Sequence, residues 1–383
     1  MTRLQSLDVL RCLAVVLVMG HHMVSCPESV SPTLAAVTLV WQRGGWVGVD
    51  LFFVLSGYLV SGLLFREMAR YGHVHIGRFL IRRGAKIYPP FYLLLAVTAI
   101  VALGNGQFWP RAFIADALFV QNYMPGNWIH FWSLAVEEHF YLLLAGVFWL
   151  LVGRPGGTLR ALPWCVIGVL LVCLGLRLAL EARDLPFSPY VHMMPSHLRL
   201  DSLAAGVGIA YVEARYRQAF QATARWRPVL WVLGAVCLAP AFIFPNNETP
   251  WIPSLGLSLF MLGAAAWVVA AATRPPSAST AIRGLAMVGA QSYSVYLWHL
   301  PVRNWLVWNL GLSMEANWLT AAPVYLAGSV LVGIGMARLC ERPSLALRDR
   351  WFPSRAAPTA EPHPHQVQSA GTEPMRPPIL DPP

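Results

Sequence analysis

Ten apolar segments, each close to the length of a membrane-crossing helix, run through this chain between residues 7 and 340. They fall near 7–24, 46–65, 87–103, 137–152, 162–180, 198–213, 228–244, 253–273, 285–302 and 318–340. In hydrocarbon every backbone N–H and C=O must be satisfied within the segment, so such runs read as α-helices. Only 12% of the 383 residues are charged while 56% are hydrophobic, which is too few charges to cover a soluble surface and too apolar for disorder. The fourth and sixth segments are short and carry charges at one end. The expected fold class is all-α, a polytopic integral membrane protein of about ten transmembrane helices.

The basic residues orient it. There are 27 Arg and one Lys, scattered between the apolar runs rather than gathered on one face, a pattern that fits membrane topology and not nucleic acid despite the net charge of +10. Loops after even-numbered segments, together with both chain ends, hold 21 of these residues, and loops after odd-numbered segments hold four. Both termini are therefore expected in the cytoplasm. Residues 1–345 read as one transmembrane domain and residues 352–383, rich in Pro, Ser, His and Glu, as a disordered cytoplasmic tail. Six dispersed cysteines without a CxxC spacing predict no metal site. No phosphate loop and no GxGxxG before a helix is present, and no tightly bound cofactor is expected.

Ionisable groups inside spans cost at least about 2.5–3.5 kcal/mol at a helix centre, so those retained call for a reason. The first segment carries Asp8, Arg11, His21 and His22. Arg11 and His22 are about 1100° apart, some 20° past three full turns, hence on one face and roughly 16 Å apart along the axis. Asp8 shares that stripe and His21 lies about 80° away. The orientation then puts His22, Asp50, Glu137, Arg199, Asp201 and His299 at similar depth, near the outer ends of five helices, with Trp132 and Ser133 beside Glu137. A His next to a carboxylate suits general-base catalysis, and a structural polar network at the rim is the competing reading. At the inner surface Arg78, Arg82 and Lys86 recur every four residues, with Arg83 between them. The positive-inside rule accounts for charge there without a ligand, but such a stripe also grips phosphates.

The stretches LDVLRCLAVVLVMGHH, GGWVGVDLFFVLSGYLV, RRGAKIYPPFY, FWSLAVEEHFYLL, RLDSLAAGVGIA and SYSVYLWHLPV, in that order, resemble the polytopic acyltransferase-3 family of membrane O-acyltransferases. Lys86 stands where the family's basic motif usually ends in Arg, and His139 where Gln is common. The extracytoplasmic hydrolase-like domain that some members carry is not expected after the last segment. The resemblance implies transfer of an acyl group, most often acetyl, from acyl-CoA to a sugar hydroxyl of an envelope or exported glycan, in the bacterial cytoplasmic (inner) membrane. It implies His22 as catalytic base with Glu137, to which the depth argument adds Asp50. Arg11, Arg82, Arg83 and Lys86 would hold acyl-CoA, while Arg199, Asp201, His299, Trp132 and Ser133 would line the outer cavity or bind acceptor. The alternative is a proton-coupled secondary transporter that uses the same His, Asp and Glu as a relay, although no inverted repeat is visible.

Overall fold

The computed structural model describes residues 4–355 except 154–156, 308, 313 and 315, so the expected tail lies outside the described residues from 356 onward. Among the described residues every regular element is helical. The first half comprises α1 (Leu4–His21), α2 (Pro32–Gly44), α3 (Gly48–Tyr71), α4 (Ile76–Gly104), α5 (Pro110–Ala117), α6 (Trp132–Val152) and α7 (Leu162–Glu181). The second comprises α8 (Leu200–Arg215), α9 (Arg227–Leu238), α10 (Leu257–Ala272), α11 (Thr280–Ala290), α12 (Ser292–Pro301), α13 (Trp318–Met336) and α14 (Arg342–Trp351).

Seven helical runs among the described residues are long and apolar enough to cross a membrane, beginning at Pro32, Ile76, Ile129, Leu159, Arg217, Ile252 and Trp318. The chain is thus a polytopic membrane protein. All ten expected segments overlap helices, but the first, sixth and ninth are not among the seven. The ninth, expected as one span over 285–302, is two helices that meet at Gln291 and pass through Pro301 into a π-helical turn. The connection after the first segment, expected as a loop, contains α2. Its side chains Leu34, Val37, Leu39 and Val40 are exposed, and a 3-10 turn joins it to α3. Ser31 caps α2, its hydroxyl accepting from Leu34 N–H.

The most extensive helix crossing is that of α3 and α8, where small residues let two backbones touch. A Cβ on Gly57 would stand 1.9 Å from the Leu203 carbonyl oxygen, and one on Gly206 would stand 2.2 Å from that of Val54. Both obstacles are backbone, so no rotamer relieves them. Gly57→Ala is expected to cost the upper end of the about 1–3 kcal/mol typical of overpacking, and so to lower the thermal midpoint in detergent. Gly62 on the same helix has only the tip of Arg66 near its Cβ position, at 3.4 Å, so Gly62→Ala should be neutral or stabilising. Equal midpoints for the two variants would contradict this crossing.

At the other end of the chain, α14 returns to α4. Ser344 Oγ donates to Ala85 O at 2.8 Å, Arg82 pairs with Asp349 at 2.9 Å, and Arg82 and Arg78 donate to the carbonyls of Phe352 and Pro353. The first residues of the expected tail are therefore held against α4 by arginine side chains that donate to their backbone carbonyls.

Candidate active site

A cavity opens between α1, α3, α4, α6 and the α11–α12 pair. Its lining runs along α3 from Val49 to Val60 and along α6 from Ser133 to Tyr141, so it extends roughly 16 Å in depth. Arg11, Arg83 and Lys86 gather on its wall with one carboxylate, Glu137. Arg11 pairs with Asp8 at 2.7 Å, whereas Arg83 and Lys86 have no ion-pair partner among the described residues, and Arg83 Nε is buried without a hydrogen bond. The remaining wall is aromatic and hydroxylic: Phe52, Tyr141, Tyr293, Tyr296, Ser56 and Ser133. Ser56 and Tyr141 bond to each other at 2.8 Å beside Glu137. Three cations against one lining carboxylate, beside an aromatic slot, suit an anionic ligand with a long apolar arm.

Tyr296 closes one side of this cavity. Its hydroxyl lies 2.8 Å from His130 O and 2.6 Å from Ser133 Oγ, which itself reaches His130 O at 3.3 Å, so the two hydroxyls share that carbonyl. Behind the Tyr296 ring, at 5.6 Å and 5.5 Å between centroids, are His299 and His130. His22 completes the group: its Nδ1 lies 3.1 Å from His299 Nε2 and 3.1 Å from Val18 O. Arg303 NH1 donates to the His22 carbonyl at 2.5 Å. His21 turns away, its Nδ1 reaching Gln42 O on α2 at 2.7 Å, as the 80–100° offset on α1 requires. Among the described residues no group of three or more ligating side chains could hold a metal.

A third group is packed shut. Arg199 donates to Asp50 at 2.8 Å with both side chains at most 1% exposed, and Ser202 donates to the same carboxylate oxygen at 3.2 Å. Arg177 pairs with Asp201 at 2.7 Å and donates to Leu198 O and Ser258 Oγ. Arg199 lies over the rings of Trp132 and Phe53, at 5.5 and 5.6 Å.

The residues expected at one depth therefore fall into three groups. His22 meets His299, Asp50 meets Arg199, with Asp201 paired to Arg177, and Glu137 joins neither set. The reason is the start of α6: a 3-10 turn over Ile129–Phe131, held by Gln121 donating to Phe131 O, opens the helix at Trp132 rather than at residue 137. Glu137 is thereby about 7.5 Å further along the axis, on the cavity wall with Arg83 and Lys86. His22 does not line that cavity. Asp50, Arg199 and Asp201 do not open onto it either, Trp132 covers Arg199, and of the expected outer residues only Ser133 lines it. Arg82 faces Asp349 on α14 while its neighbour Arg83 faces the cavity. Glu138 accepts from Tyr88 at 2.9 Å, and His139 bonds Ser196 Oγ at 2.7 Å. Tyr296, His130 and Arg303 were not singled out from sequence. For Tyr296 a signal existed, because SYSVYLWH sets it one helical turn before His299.

Comparison with known proteins gives a consistent pattern. A family profile described as Acyltransferase domain matches residues 4–338. The chain is 27% identical over 330 residues to the Peptidoglycan O-acetyltransferase OatA of Listeria monocytogenes, covering 78% of this chain and 49% of that protein. It is likewise 27% identical over 327 residues to the O-acetyltransferase OatA of Staphylococcus aureus, covering 78% of this chain and 50% of that one. The chain thus spans about half the length of the curated relatives it matches. No solved structure matches.

Proposed function

The chain belongs to the acyltransferase-domain family, matched over residues 4–338, and on that premise we propose that it is a membrane O-acyltransferase that moves an acetyl group from acetyl-CoA to a sugar hydroxyl of an envelope or exported glycan. The observation that carries this reading is the cavity in which Arg11, Arg83 and Lys86 outnumber the single lining carboxylate, Glu137, with Arg83 and Lys86 in no direct salt bridge, along an aromatic slot bounded by Tyr296. Both chain ends lie in the cytoplasm and the protein spans the bacterial inner membrane, which puts the basic end of the slot on the side where CoA is found. Transport gains no support from this arrangement, and the relatives' names favour acyl transfer.

Arg83, Lys86 and Arg11 hold the phosphates of CoA, and the pantetheine arm lies along Phe52, Tyr141 and Tyr293. Glu137 sits beside this arm rather than beside His22, so its part is to orient the donor through Ser56 and Tyr141. The thioester passes Tyr296 to reach His22. There the acceptor hydroxyl gives its proton to the imidazole as its oxygen attacks the thioester carbonyl. The new C–O bond forms, the C–S bond breaks, and the CoA thiolate leaves with the proton that the imidazolium returns. No cofactor is held apart from this co-substrate.

The donor assignment has a direct test. Each charge-assisted contact to a phosphate is worth about 1.5–3 kcal/mol, so Arg83→Gln and Lys86→Gln should each raise the KM for acetyl-CoA about 10–100-fold in membranes of equal protein content. Arg82→Gln, on the α14 side, should change it far less. If all three variants used acetyl-CoA like the parent, the basic residues would serve membrane orientation alone.

A further inference from the structure

Resting on the reading of His22 as base, we propose that His299 is its positioning residue: the Nε2 lone pair of His299 accepts the Nδ1 proton of His22, leaving His22 Nε2 free to take the proton of the acceptor hydroxyl. A backbone carbonyl can only accept a hydrogen bond, and this settles the tautomers in turn. His299 Nδ1 lies 2.5 Å from Tyr296 O, so that nitrogen carries the hydrogen and Nε2 carries the lone pair. His22 Nδ1 lies 3.1 Å from Val18 O, so it carries its hydrogen, which is shared with His299 Nε2 at 3.1 Å. The same rule applied to His130, whose Nε2 faces Leu297 O at 3.1 Å, turns that ring's own lone pair elsewhere.

His299 is fully buried, and both of its ring nitrogens are engaged, one by its own helix and one by His22. That makes α12 a rigid arm reaching to the end of α1. Arg303, in the π-helical turn that follows α12, grips the same residue by its carbonyl. Two successive turns of one element thus fix the ring and the backbone of His22. Among the described residues no carboxylate bonds to His22 or His299, and Glu137 lines the cavity on the other side of Tyr296. When His22 becomes an imidazolium, its Nδ1–H bond to His299 strengthens, as hydrogen bonds do when one partner is charged.

Two near-isosteric substitutions separate this role from mere packing. Asn at 299 reproduces the Nδ1 donor to Tyr296 O but loses the contact to His22, and Gln places an acceptor oxygen near the position of Nε2. His299→Leu and His299→Asn should lower kcat for transfer from acetyl-CoA about 10–100-fold, the equivalent of one hydrogen bond to a charged group, at unchanged donor KM. His299→Gln should recover most of that turnover. The opposite order, with Asn active and Gln inactive, would mean that His299 only braces its own helix, and parental turnover in all three would remove any role. His22→Ala measured alongside keeps the two ideas apart, because normal turnover there defeats the base assignment itself. Should the variants at 299 fail to fold, ¹⁵N spectra of the parent labelled at histidine decide. His22 is expected with hydrogen on Nδ1 and none on Nε2, and the reverse tautomer would overturn the proposal.

Discussion

His22→Ala, correctly inserted, is expected to lose about 10²–10⁴-fold in turnover, the span that general-base catalysis supplies. His21→Ala should lose far less, although the residues are adjacent. The difference lies in what each ring meets: His21 is tied to Gln42 O on α2, whereas His22 meets His299 beside the Tyr296 wall. Neither substitution empties a tightly packed core position, since both residues are only half-buried, so protein yield should stay near that of the parent. Donor KM in His22→Ala should also be unchanged, because His22 does not line the cavity that holds Arg83 and Lys86. A loss shared equally by His21→Ala would point to damage at the end of α1 and not to a chemical role.

Asp50→Ala should fail differently, by loss of folded protein. Its partner Arg199 is 1% exposed and would be left as an unpaired buried cation, with Nε and one amino nitrogen already lacking partners. Breaking one side of a buried pair costs about 3–5 kcal/mol, comparable to much of a domain's net stability. Replacing both charges by apolar residues of similar volume is often neutral, so Asp50→Leu combined with Arg199→Met should restore a monodisperse, thermally stable protein. Size-exclusion profiles and thermal midpoints check both variants. Were Asp50 catalytic instead, Asp50→Ala would fold normally and lose turnover.

The helices were legible because a bilayer enforces a minimum apolar length, and each expected segment overlaps a helix. Where one apolar run breaks was not legible: nothing in hydropathy marks Gln291 as a joint, nor the 3-10 turn that starts α6 at Trp132. That second feature moved Glu137 from the outer end to the wall of the cavity with Arg83 and Lys86. Partner choice was equally hidden. Arg82 and Arg83 differ by one position, about 100° of rotation, and this sends one to Asp349 and the other to the cavity. Depth could bring Asp50 near Arg199, but only packing across 149 residues of sequence decides that they pair with each other. His22 and His299 were expected only at a common depth, among six residues, and their contact with each other is a matter of packing.

The most direct test follows an acetyl group. Membranes from the source cell, with the chain deleted and then restored as parent or as His22→Ala at equal abundance, would be incubated with acetyl-CoA carrying a radiolabelled acetyl group. The glycan fraction would then be assayed for label released by mild alkali. The expected result is alkali-labile ester with the parent, accompanied by an equal amount of free CoA thiol, and neither product above the deletion background with His22→Ala. Ester formed equally in the deletion strain or with His22→Ala, or label that crosses the membrane without entering an ester, would contradict the account.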